Sequence, residues 1–99
     1  PGLVNAADGL DLGISASCEK GDAVFSVTNN GARWPDSATF RIYDAEIDKV
    51  VNMRRLRLSD GQKISFNVKR DKAPGEVGIW VSPSWFTRDF KYDAKINCS

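Results

Sequence analysis

The acidic run YDAEID sets three carboxylates, Asp44, Glu46 and Asp48, at alternate positions. On an extended segment they would project from one face, about 7 Å apart, and could begin the shell of roughly six to eight oxygens that calcium takes. No glycine-bearing loop curls them into a cage. A solvated face countered by Lys49 and nearby arginines is therefore the better reading, and no metal is assigned. Asp8 and Asp11 in DGLDLG are a weaker pair of the same kind. MRRLRL gathers Arg54, Arg55 and Arg57 near Lys49 and Lys63 in the chain. Such a patch suits a sulfated sugar or an acidic partner, but outward arginines on alternate positions also protect an exposed sheet edge from pairing with another sheet. The edge reading is favoured.

Catalysis fails on inventory. The chain contains no histidine, the usual general base near neutral pH, and no glycine-rich phosphate loop. Carboxylates alone would need a substrate cleft that so small a domain has little room for. The chain is expected to be non-enzymatic and to need no cofactor. Its two cysteines, Cys18 and Cys98, lie far apart and outside any C-x-x-C or four-ligand pattern, so a disulfide is expected. Closing a loop of that length contributes roughly 4 to 5 kcal/mol in the chain-entropy picture. It also implies an oxidising compartment, and hence an extracytoplasmic location: secreted, periplasmic or at the cell surface. Asn97-Cys98-Ser99 fits a glycosylation sequon, read as chance at this position.

The remaining chemistry is aromatic. WVSPSWFTRDF, residues 80–90, holds two of the three tryptophans and two of the five phenylalanines. Pro83 would remove a ladder hydrogen bond from a continuous strand, so SPSWFTRD is expected to be a connection carrying Trp85, Phe86 and Arg88. That is the composition of an interface hot spot, and it also suits sugar stacking. The competing expectation is that Trp85 and Phe86 fold back as an inward cap, because a small domain needs every apolar group it can bury. Arg33 and Trp34, beside Pro35, form a second candidate loop site. Trp80 should point away from the face shared by Val77, Ile79 and Val81, over the outer sheet beside Tyr43 or an arginine stem.

The elements that must position these residues alternate with period two, the signature of half-buried strands. Leu10 to Cys18 alternates, EKGD turns, and AVFSVTN alternates again, giving a hairpin. NNG ends that strand and ARWPDSAT is loop. TFRIYDAEI is a third strand. KVVNMRRLRL suits helix or strand, and strand is preferred because Leu56 and Leu58 alternate with Arg55 and Arg57. KISFNVK and VGIWV follow, and FKYDAKINC is expected to close the chain as one long strand with Phe90, Tyr92, Ala94, Ile96 and Cys98 on its inner side.

About seven short strands with Gly, Pro and Asn between them describe an all-β, immunoglobulin-like antiparallel β-sandwich with one disulfide. At 99 residues there is room for a single domain, expected over 10–99, preceded by a loose segment over 1–9. With 14 basic against 13 acidic residues the net charge is +1. No global field attracts nucleic acid or a membrane surface, and no apolar stretch approaches a membrane-spanning length.

The chain resembles the immunoglobulin-like modules of bacterial secreted and surface proteins, including those of the cell-adhesion-related class. The resemblance lies in CEKGDAVFSVTNNGARWPDSATFRIY, in LRLSDGQKISFNV and in the terminal cysteine, with T-N-x-G and L-x-x-G-Q as its turn motifs. It covers about four-fifths of the chain and implies a sandwich fold, an extracytoplasmic location and a non-enzymatic role; it carries over no functional residues. The expected function is contact with another protein, or assembly on a surface, through Trp85, Phe86, Arg88, Trp34 and Arg33. A carbohydrate-binding module using the same rings and a small inhibitor of a secreted hydrolase are the alternatives.

Overall fold

The computed structural model describes residues 10–99; the expectations for residues 1–9, Asp8 included, lie outside the described residues. Seven strands follow in order: β1 (Leu12–Glu19), β2 (Asp22–Asn29), β3 (Ala38–Asp44), β4 (Lys49–Leu56), β5 (Lys63–Val68), β6 (Glu76–Pro83) and β7 (Ala94–Asn97). They form two antiparallel sheets, β1-β2-β5 and β4-β3-β6-β7. Among the described residues there is no helix that is long and apolar enough to cross a membrane.

The alternating residues explain the layering. Phe25 and Val27 of β2, Phe66 and Val68 of β5, Phe40 and Ile42 of β3, and Val77, Ile79 and Val81 of β6 are all buried. The Phe40 and Phe66 rings meet with centroids 5.3 Å apart, joining one sheet to the other. The β1–β2 hairpin turns at Lys20 and Gly21, both at positive φ (55° and 87°). This primed geometry follows the right-handed twist of the flanking strands. KVVNMRRL forms β4, a strand as expected, and it lies at a sheet edge; of its two arginines, Arg55 lies on the outer side beside Thr39, whereas Arg54 sits opposite Phe40 and over the Phe66 ring.

The two turn motifs seen in the sequence belong to one construction. Asn29, only 1 % exposed, is the Asn of T-N-x-G. Its Nδ2 donates to the carbonyls of Ala32 (2.9 Å) and Ser59 (3.1 Å), and its Oδ1 accepts from the Gly31 amide (3.0 Å). Its main chain pairs with Gln62 O and Gly61 N, each at 2.9 Å, inside L-x-x-G-Q. One buried amide thus ties the end of β2 to the loops on either side and supplies partners that these main-chain groups would otherwise lack.

Cys18 and Cys98 form the expected disulfide, with Cα atoms 5.5 Å apart. It joins the end of β1 in one sheet to the residue after β7 in the other.

Two expectations are corrected. FKYDAKINC is not one strand: only Ala94–Asn97 pairs with β6, and Phe90 and Tyr92 leave the inner face. YDAEID is not one extended segment either, because the chain turns after Asp44 into the β3–β4 connection. Its three acids go to separate partners. Asp44 Oδ1 accepts the Glu46 amide, Glu46 Oε2 accepts the Glu76 amide (3.2 Å), and Asp48 accepts the Tyr92 hydroxyl.

Candidate binding face

The expected SPSWFTRD connection is shorter than its sequence suggested, because Ser82 and Pro83 pair with Thr39 and Ala38 at the end of β6; the rest, residues 84–89, turns inward. Trp34 is only 4 % exposed. Its ring stacks on Phe40 (5.9 Å) and meets Trp85 (5.7 Å), which in turn meets Phe86 (5.8 Å). Trp85 and Phe86 are half-buried against the core. The structure therefore brings Trp34, Trp85 and Phe86 together as a cap on one end of the sandwich. The ring of Trp34, a candidate contact residue in the sequence, fills the core, and the loop carrying it is held by Trp34 N donating to Leu58 O and by Arg57 Nε donating to Trp34 O (2.7 Å). Arg33 beside it remains exposed.

Arg88 has a task inside the fold. β7 is shorter than β6, and its pairing stops where Ile79 faces Ala94. The next ladder position, Val81, is served by side chains: its amide donates to Asp93 Oδ2 (2.9 Å), and its carbonyl accepts from Arg88 (2.7 Å). Arg88 and Asp93 pair at 3.0 Å, with both side chains mostly buried. The pair occupies the place a longer strand would have taken, and it explains why the alternation of FKYDAKINC breaks at Asp93.

The chain leading into Asp93 passes over the outside of the four-stranded sheet. Opposite register positions put Arg41 and Tyr43 of β3 beside Trp80 and Gly78 of β6. Phe90 covers Trp80 and Tyr43 in edge-to-face contacts, with centroids 5.2 and 5.3 Å apart, and Tyr92 packs against Phe90 (4.9 Å) and Tyr43 (5.5 Å). Gly78 makes room for this. A Cβ at that position would lie 2.5 Å from a carbon of the Tyr92 ring. The Tyr92 hydroxyl donates to Asp48, and burial first, then that hydrogen bond and the Asp48 charge, hold the phenol proton well above the usual tyrosine range.

A register shift enlarges the same face. Tyr43 pairs with Val50 while Ile42 pairs with Asn52, leaving Val51 as the extra residue of a β-bulge. Val51 packs toward the core, while Val50 and Met53, facing Tyr43 and Arg41, both come to the outer surface, 42 % and 57 % exposed. Phe90 is 48 % exposed, and Ile47, 65 % exposed, stands on the adjoining turn. Between Tyr43, Asp48, Trp80 and Phe90 runs an open groove of about 430 Å³. Arg41 lies over Trp80 at 5.6 Å from the ring centroid and Lys95 over Tyr92 at 5.7 Å.

The other sheet presents a different outer face. Ser15, Ser26 and Ser65 align across its three strands, flanked on one side by Ser17, Val24 and Asn67 and on the other by Gly13, Thr28 and Lys63. The two outward surfaces of one domain thus differ in kind, one mostly of small and polar side chains and the other lined by rings.

Alternation in the sequence placed Trp80 on the outer sheet beside Tyr43 or an arginine stem, and the structure sets it opposite Arg41, whose guanidinium lies over its ring. Alternation missed Phe90 and Tyr92, whose positions follow from the Arg88–Asp93 pair, and it missed Val50, whose exposure follows from the bulge. The one local signal was Gly78, a glycine within an otherwise apolar strand, which marks a close approach.

Comparison with protein-family models, with curated proteins and with solved structures found no match for this chain.

Proposed function

We propose that the chain is a non-enzymatic, immunoglobulin-like module of an extracytoplasmic protein, and that it contacts another protein through the outer face of its four-stranded sheet. The observation that carries this is the asymmetry of the two outer faces. Half-exposed Phe90, Met53 and Val50 gather on one sheet around Trp80 and Tyr43, whereas the outer face of the other sheet carries serine, threonine, Asn67 and Lys63 with Val24 as its one large apolar member among the paired strand residues. Grouped aromatic and methionine side chains on a surface are characteristic of protein contacts. The strand order β1-β2-β5 against β4-β3-β6-β7 supports the immunoglobulin-like assignment, and the Cys18–Cys98 bond supports an oxidising compartment.

This moves the expected contact from SPSWFTRD to the sheet face, because the rings of that loop cap the core. The alternatives gain no observation. Trp80 and Phe90 stand at 80° and Phe90 and Tyr92 at 75°, which offers no coplanar platform for a sugar, and a loop whose Trp85 and Phe86 are half-buried is not built to enter an enzyme cleft.

Photo-crosslinking tests the proposal. A photoreactive residue at position 53 or 90 should yield a discrete protein adduct in the native source, and one at position 65, on the opposite face, should not. Equal labelling from both faces, or no adduct from 53 and 90, would refute the assigned surface.

A further inference from the structure

We propose that the groove lined by Asp48, Tyr43, Trp80 and Phe90 receives a lysine or arginine side chain presented by the partner protein. The inference rests on the sheet-face contact above and specifies the chemistry of the residue that enters it. Aromatic faces carry partial negative charge and attract cations. In this groove the rings stand steeply to one another, Trp80 to Phe90 at 80° and Tyr43 to Phe90 at 61°, so a guest meets ring surface from more than one direction. The apolar walls suit the methylene stem of a long basic side chain, and the head would lie toward the exposed Asp48 carboxylate.

The chain's own cations show the preference of these rings. Arg41 lies over Trp80 and Lys95 over Tyr92. Neither lines the groove, whose charged member is Asp48. Lys95 also faces Glu76, at 3.9 Å. An acidic guest would meet the Asp48 carboxylate, and a purely apolar one would leave that carboxylate without a counter-charge.

The test follows the Trp80 indole N–H by nuclear magnetic resonance, with the Trp34 and Trp85 indoles as internal references. The probes are acetylated, amidated Gly-X-Gly tripeptides in which X is lysine, arginine or norleucine. Lysine and arginine should shift the Trp80 signal saturably, with millimolar-scale affinity, and norleucine should bind at least severalfold more weakly. Asp48→Asn keeps an acceptor for the Tyr92 hydroxyl and tolerates the positive φ of 51° at that position. It should weaken lysine binding about three- to tenfold while leaving norleucine unchanged. Equal response to lysine and norleucine in the wild-type protein, or none to either, overturns the inference whatever the variant does. An adduct from positions 53 and 90 without preference for lysine would leave the sheet-face contact standing and remove the cation. Preference for lysine without any adduct would remove the partner protein as its source.

Discussion

Replacing Gly78 with alanine tests how the aromatic face is built. Its φ is not in the left-handed region, so the backbone accepts alanine, and by strand propensity alone the change should stabilise by about 0.5 to 1 kcal/mol. Space reverses the sign. The new Cβ would sit 2.5, 2.7 and 3.0 Å from three carbons of the Tyr92 ring, where carbon pairs settle at about 3.5 to 4.0 Å. The ring would have to retreat by roughly 1 Å. It is held on its far side by the Asp48 hydrogen bond and by contacts with Tyr43 and Phe90, so those must loosen. A hydrogen bond contributes about 1 kcal/mol and each aromatic contact about 0.5 to 1.5. The expected net loss is about 1 to 3 kcal/mol, read as a lowered midpoint in urea at unchanged slope. Tyr92 should also titrate nearer the ordinary tyrosine value by ultraviolet difference spectroscopy. A Gly78→Ala protein as stable as wild type, with Tyr92 still resisting ionisation, would refute the packing of that ring on β6.

Asn29→Ala removes the buried amide and leaves the Ala32 and Ser59 carbonyls and the Gly31 amide without their partner; a loss of about 2 to 4 kcal/mol is expected in denaturant melts. Asn29→Asp should be worse at neutral pH, because a carboxylate would face carbonyl oxygens. The introduced carboxyl has its folded pKa raised, so its stability is best below the unfolded value near 4 and falls as pH rises through the folded one, which melts at pH 3 and 7 would show. Tyr92, whose folded pKa is also raised, contributes stability that is intact below the unfolded value of about 10 and is lost above it; Tyr92→Phe should flatten the alkaline limb of the stability profile. Cys18→Ala with Cys98→Ala should cost roughly 4 to 5 kcal/mol, measured by thermal melting against the oxidised parent.

Strands were legible in the sequence wherever side chains alternate against the core, as in DAVFSVTN and KISFNV. The disulfide was legible because few other uses exist for two distant cysteines. The candidate face was legible only at Trp80. Phe90 and Tyr92 sit in a stretch whose alternation is as regular as any in the chain, yet they lie outside because Asp93 bonds to the edge of β6 and ends the pairing. Two polar side chains, Arg88 and Asp93, outweigh a hydrophobic pattern there, and nothing local to FKYD announces it. Likewise, T-N-x-G and L-x-x-G-Q each read as a turn, and their union through Asn29 is a long-range fact that spacing does not carry.

The Cys18–Cys98 bond also determines how the domain would carry a load. Tension applied to the chain outside the two cysteines passes through a covalent step of 5.5 Å between their Cα atoms and bypasses the eighty-step loop between them. Roughly 270 Å of extended chain is thereby withheld. Only the residues before Cys18, among them the core residue Leu10 and its neighbours Leu12, Ile14 and Ala16, could peel from β2, while the rest of the core, the cap and the aromatic face, within the loop, would bear no force along the chain. Under tension the domain would act as a short link, and beyond that peeling it would lengthen only after a reductant had cut the bond.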